Sequence, residues 1–162
     1  MNEIYNHHKV KAMISLTKGE GFGRPLLEFS ILDKPIITTG WSGHVDFLSR
    51  EHSALLGGEL EKVHQSAQVK DMILADAQWF KVDDKWINNA YQDIYYNYKT
   101  WKDKSKKQGL ISRTNFNYKK MKTLIGSILK ENLPELPKKM ELKLPSMSKI
   151  QMPKKNKLKI VK

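Results

Sequence analysis

The chain has 162 residues, 40% hydrophobic content, no cysteine and a net charge of +12. That length suits one domain with its own core. The composition excludes disulfides and thiolate metal ligands, no run approaches the about eighteen apolar residues of a membrane span, and Met1-Asn2-Glu3-Ile4 lacks the basic-then-apolar order of a signal peptide.

In chain order, residues 12–16 (Ala-Met-Ile-Ser-Leu) are short and apolar, as a buried parallel strand is. Gly19, Gly21 and Gly23 then form a flexible turn that lets a ligand approach the main chain. Pro25 fits the first turn of a helix over residues 25–33. Residues 35–39 make a second buried strand, which closes a βαβ unit. Residues 45–48 open another helix. Residues 53–56 and 59–63 flank Gly57-Gly58 and read as a hairpin, and residues 79–82 read as a further strand. Asp83 or Asp84 caps a helix with an apolar stripe of Trp86, Ile87, Ala90, Tyr91, Ile94, Tyr95 and Tyr98. Helical spacing makes that stripe a core face rather than a binding box. A basic helix follows through about residue 113. Asn117 caps a last helix whose Met121, Leu124, Ile125, Ile128 and Leu129 are expected to face inward.

A domain boundary falls near Leu133. The tail from 133 to 162 holds four of the six prolines and nine lysines against two glutamates. Prolines remove donors and favour extended backbone, so this segment is expected to lie outside the core. It is either a solvated tail or, given its regularly placed Leu, Met and Ile, an arm that docks on a partner. Charge is divided unevenly elsewhere too. Residues 1–98 hold ten Lys/Arg against thirteen Asp/Glu, and residues 99–123 nine against one. Basicity is confined to a helix and the tail, and the tail lysines are not interleaved with aromatics, which argues against nucleic acid as the partner. His7, His8 and His64 do not sit at metal-ligand spacing with acids, so no metal is expected.

The chemistry concentrates between Lys18 and Glu28. The turn offers backbone N–H groups to an anion, helped by the positive end of the following helix. Glu20 stands at the carboxyl end of the first strand, the edge where open α/β sheets bind ligands. Glu28 sits one helical turn in and can lean back toward that edge. Carboxylates grip hydroxyls, so the set suits a ligand with phosphates and sugars. The competing reading is a glycine turn with two solvated glutamates and no ligand.

The order of parts favours a ligand. Glu20-Gly21-Phe22-Gly23, then Glu28 eight positions after Glu20, then Asp33-Lys34-Pro35, the Ile36-Ile37-Thr38-Thr39 strand and the Gly40-Trp41-Ser42-Gly43-His44-Val45-Asp46 loop resemble the C-terminal half of retaining GT-B-fold glycosyltransferases. The similarity is to the glycogen-synthase-like and sucrose-synthase-like group with a Glu-x7-Glu motif. It covers roughly residues 9–131, more weakly after Leu48, and its wording is similar to phage members. The resemblance implies a partial Rossmann-like α/β fold over residues 1–132: a parallel sheet with flanking helices, C-terminal helices and the extended basic tail.

It also implies roles. Glu28 would bind ribose hydroxyls of a nucleoside-diphosphate sugar, and Glu20, the catalytic-site carboxylate, would contact the transferred sugar. Gly21, Phe22 and Gly23 would hold sugar or phosphate through their amides, with Gly43 and His44 as a second phosphate-side wall; Arg24 is close to the site by sequence but, like Lys18, does not match a cation position of the family. No cofactor beyond the donor substrate is implied. Asp46 stands where relatives carry Glu, and Asp33 where they carry Gly. Only nineteen residues precede Glu20, so the acceptor-binding half and its diphosphate-neutralising Arg and Lys are expected from a separate partner protein, and this chain alone is expected to transfer no sugar. A phage origin would place it in host cytoplasm or virion. The alternative is a non-catalytic glycosyltransferase-like domain with a structural role.

Overall fold

A computed structural model describes residues 2–134. The expected tail, apart from Leu133 and Pro134, lies outside the described residues. The fold is mixed α/β and Rossmann-like in part, with a three-stranded parallel sheet flanked by helices. In chain order the elements are α1 (Asn2–Asn6), β1 (Met13–Ser15), α2 (Arg24–Ser30), β2 (Ile36–Thr39), β3 (Ala54–Leu56), β4 (Gly58–Lys62), β5 (Gln78–Val82), α3 (Asp84–Tyr96), α4 (Tyr98–Asn115) and α5 (Tyr118–Asn132). The sheet order is β1-β2-β3, with Met13 opposite Ile36 and Ile37 opposite Ala54.

β2 is buried along its whole length because it has a neighbour on each edge and a helix layer on each face. Successive side chains point to opposite faces. Ile36 therefore joins Leu26, Phe29, Phe47 and Leu48 on the α2 face, while Ile37 joins Ala54, Leu56, Ile94 and Trp101 on the other. Leu26 and Phe29 are almost wholly buried, and each contributes about 1.5–3 kcal/mol relative to exposure.

Helix α2 is shorter than its sequence pattern suggests. It begins after Gly23, whose φ of 82° is left-handed, and it stops at Ser30, before Asp33 turns left-handed at φ 58°. Aspartate tolerates that conformation better than most side chains, so Asp33 can take the bend. Arg113 secures the turn by donating to the Asp33 carboxylate at 2.9 Å and to the Ile31 carbonyl.

Four expectations need correction. Residues 45–48 do not open a helix: the loop makes one 3-10 turn, Gly43–Asp46. The Gly57-Gly58 hairpin does not form. β3 pairs parallel with β2, whereas β4 pairs antiparallel with β5. Neither glycine has the positive φ that a two-residue hairpin turn needs. Instead Gly58 lets β4 lie close to β5, where a Cβ would overlap the Lys81 carbonyl. The aromatic stripe of α3 is a core face only in part: Ile94 is buried and Ile87, Ala90 and Tyr98 pack against the core, whereas Trp86, Tyr91 at 54% and Tyr95 at 68% are exposed. Likewise Met121, Leu124, Ile125, Ile128 and Leu129 of α5 do not face inward, and α5 buries no residue. Both helices start where expected: Asp83 accepts from the Lys85 amide and Asn117 from the Lys120 amide.

Candidate functional site

Two loops meet at the carboxyl ends of β1 and β2. The first runs from Lys18 to Gly23 and the second from Gly40 to Asp46. Ser42 stitches them together. Its hydroxyl donates to the Glu20 carbonyl at 2.6 Å and accepts from the Glu20 amide at 2.9 Å. The Gly43 amide makes a third bond between the loops by donating to the same Glu20 carbonyl at 3.0 Å. Ser42 holds this place at φ 83° and ψ −172°, a region close to glycine-only that costs about 1–3 kcal/mol. The surrounding bonds over-determine it.

Glycine is required twice at this junction. A Cβ on Gly43 would overlap the Gly21 carbonyl, and a Cβ on Gly23 would stand 2.9 Å from the Cβ of His44. The loops therefore pack backbone against backbone.

On the first loop, the amides of Gly21, Phe22, Gly23 and Arg24 donate to no acceptor among the described residues. Four successive unpaired donors form a surface that favours an anion. The expected contribution of the α2 dipole is smaller than its sequence suggested, because the helix has only seven residues. The Phe22 side chain packs on Phe47 at 5.2 Å and Phe116 at 6.2 Å. The Glu20 carboxylate makes no hydrogen bond or ion pair with another described residue.

Glu28 is not free. Arg24 Nε lies 2.7 Å from its Oε1, with the Arg24 side chain 84% exposed. The pair links neighbouring helical turns. Lys18 is drawn elsewhere, its ammonium 3.7 Å from the Trp79 ring centre. That loop is also fixed from outside, since the Phe80 amide donates to the Lys18 carbonyl and Trp41 stacks on Phe80 with centroids 5.8 Å apart.

His44 is fully buried. Its Nε2 lies 2.5 Å from the Thr39 carbonyl, with the Thr38 and Thr39 hydroxyls at 3.4 and 3.3 Å. A carbonyl only accepts, so Nε2 carries the hydrogen. Nδ1 has no partner among the described residues. A buried unpaired acceptor is costly, and here it belongs to the residue that lines the junction. Asp46 is exposed at the end of the same turn.

Sequence reasoning missed two residues that shape the site, Ser42 and Gln108. Gln108 sits in the basic helix, yet its side chain is 2% exposed. It donates to the Phe47 carbonyl at 2.7 Å and accepts from the Ser49 amide at 2.9 Å. Ser112 joins it at 3.1 Å and reaches Ser30 of α2 at 2.8 Å. The spacing Ser105, Gln108, Gly109, Ser112 is a small, uncharged stripe amid lysines, and that pattern could have marked the buried face. Gln108→Leu is expected to leave the Phe47 carbonyl and Ser49 amide unpaired, lowering stability by about 2–4 kcal/mol; urea unfolding measures it. A change within experimental error would mean that the loop does not depend on this clamp.

The residues Glu20, Gly21, Phe22, Gly23, Arg24, Glu28, Gly43 and His44, selected from sequence, thus lie on two touching loops and the first turns of α2. Chemically these segments carry four amide donors, one free carboxylate, one ion-paired carboxylate and a buried imidazole acceptor. Comparison with known proteins finds no family model, no curated protein and no solved structure that matches the chain.

Proposed function

We propose that this chain carries the sugar-nucleotide-binding part of a retaining glycosyltransferase of GT-B type, transferring a hexose-type sugar from a nucleoside diphosphate to a hydroxyl acceptor. One observation carries the reading most directly: the run of four unpaired amides, Gly21 to Arg24, beside the free Glu20 carboxylate. The amides suit the phosphate or sugar oxygens, and Glu20 suits hydroxyls of the transferred hexose. Glu28 would take the ribose by exchanging its bond to Arg24 for the two hydroxyls, which leaves Arg24 free to approach the diphosphate.

Catalysis needs more cation than this. A departing diphosphate requires positive charge or aligned dipoles. Lys18 is held over Trp79 and Arg24 is tied to Glu28. On this reading sugar transfer needs further cations, of the Arg and Lys kind, brought to the diphosphate side of the junction.

The sheet supports such an addition. Parallel sheets are normally covered on both faces. Here β1 is an edge, Ile14 is half-exposed, and a groove of about 520 Å³ beside it is lined by Lys11, Ile14, Tyr91, Ile94, Tyr95 and Tyr98. Further strands on that edge would turn the exposed α3 stripe into core. The non-catalytic alternative draws its support from the Arg24–Glu28 pair, which satisfies both charges without a ligand.

Glu20→Gln tests the assignment. It is expected to weaken binding of an intact nucleoside-diphosphate sugar by about tenfold to a hundredfold, the equivalent of a charged hydrogen bond of 1.5–3 kcal/mol, and to leave that of the bare nucleotide unchanged. Equal losses for both ligands in calorimetry would contradict a sugar contact.

A further inference from the structure

Helix α5 presents an apolar face that the rest of the described chain does not cover. Met121, Leu124, Ile125, Ile128 and Leu129 are each 43–52% exposed. At 100° per residue they fall within a sector of about 140°. Lys122 borders one side of that sector and Lys120 the other, with Lys119 and Lys130 beyond and Glu131 the single acid of the helix. Lysine stems can lie along an apolar boundary while their charges stay in water.

We propose that α5 lies flat on an anionic phospholipid bilayer, with its five aliphatic side chains among the acyl chains and its lysines on the headgroups. Charge decides between occupants. A second copy placed stripe to stripe would, whichever way it ran, bring together two helices with four lysines and one glutamate each, so their net charges repel. The positive field is also wider than one helix. Lys99, Lys102, Lys106 and Lys107 of α4 are exposed, and from residue 99 onward the sequence holds nineteen Lys/Arg against four Asp/Glu. An extended anionic surface matches so broad a field, because each basic residue near such a leaflet adds to the attraction. A basic amphipathic helix of this kind settles in the interface. No described helix is long and apolar enough to cross a membrane, so the contact is a surface one.

The test is co-sedimentation of the full chain with phosphatidylcholine vesicles, with and without phosphatidylglycerol. The wild-type chain is expected on the phosphatidylglycerol vesicles alone. Ile125→Asp with Ile128→Asp should reduce binding by more than about tenfold while leaving the melting temperature unchanged, since α5 buries nothing. Lys119→Glu with Lys122→Glu should reduce it by about tenfold or more, and keeps the proposal testable if the aspartate variant unfolds. Three outcomes overturn it: no binding of the wild-type chain at low salt, full binding by the aspartate variant, which would credit lysines elsewhere, or a wild-type dimer in ultracentrifugation that the aspartate variant disperses, which would make a second copy the occupant.

Discussion

Gly43→Ala is expected to lower the melting temperature by about 10 °C and to abolish measurable nucleotide binding. The added methyl would overlap the Gly21 carbonyl. That neighbour is backbone, so it can move only by parting the two loops. Overpacking of this kind costs about 1–3 kcal/mol. Parting the loops also weakens the Gly43–Glu20 bond and the two Ser42–Glu20 bonds, each contributing about 0.5–1.5 kcal/mol. A total of about 2–4 kcal/mol corresponds to that melting shift in a domain of this size. The four free amides ride on the displaced loop, so their placement against Gly43 and His44 would change with it. Thermal melting and calorimetry on the same sample check both parts. A variant that melts like the wild-type chain would mean that the loops are not packed as described.

Glu28→Ala separates the ligand reading from the surface reading. If Glu28 grips ribose, the variant should bind UDP or GDP about tenfold to a hundredfold more weakly, the equivalent of 1.5–3 kcal/mol. If Glu28 serves only Arg24, the loss is that of an exposed ion pair, about 0.2–1 kcal/mol of stability, and binding is unchanged or improves because Arg24 is released. Inorganic pyrophosphate makes the two effects distinct. It lacks ribose, so the variant should hold it at least as well as the wild-type chain. Weakened pyrophosphate together with unchanged UDP would reverse the proposed roles.

The βαβ unit was legible because its signals are local: two β-branched apolar runs, a glycine turn and a proline at the helix start. The loop junction was legible only as a list of residues. Nothing in the sequence showed that Ser42 would bridge to Glu20, because that bond joins positions twenty-two residues apart. Gln108 was hidden for the same reason, and because lysines around it describe the solvent side of α4 rather than its buried one. The exposed aromatics of α3 and the stripe on α5 were read as core since helical periodicity reports an apolar face without reporting what covers it. On α3 the missing cover is beside a free sheet edge, and on α5 it is flanked by lysine. The Gly57-Gly58 hairpin failed because β3 finds a better partner in buried β2 than in exposed β4, a choice fixed by tertiary contacts.

The central claim is that residues 20–28 and 42–44 form a nucleotide-sugar site, and amide NMR of the isotopically labelled chain during titration with UDP and GDP tests it most directly. One of the two is expected to produce saturable shifts centred on the amides of Gly21, Phe22, Gly23, Arg24 and Gly43, with a dissociation constant of about 10 μM to 1 mM given the few cations present. Shifts centred on the lysines of α4 and α5, or no saturable shift with either nucleotide at millimolar concentration, would contradict it.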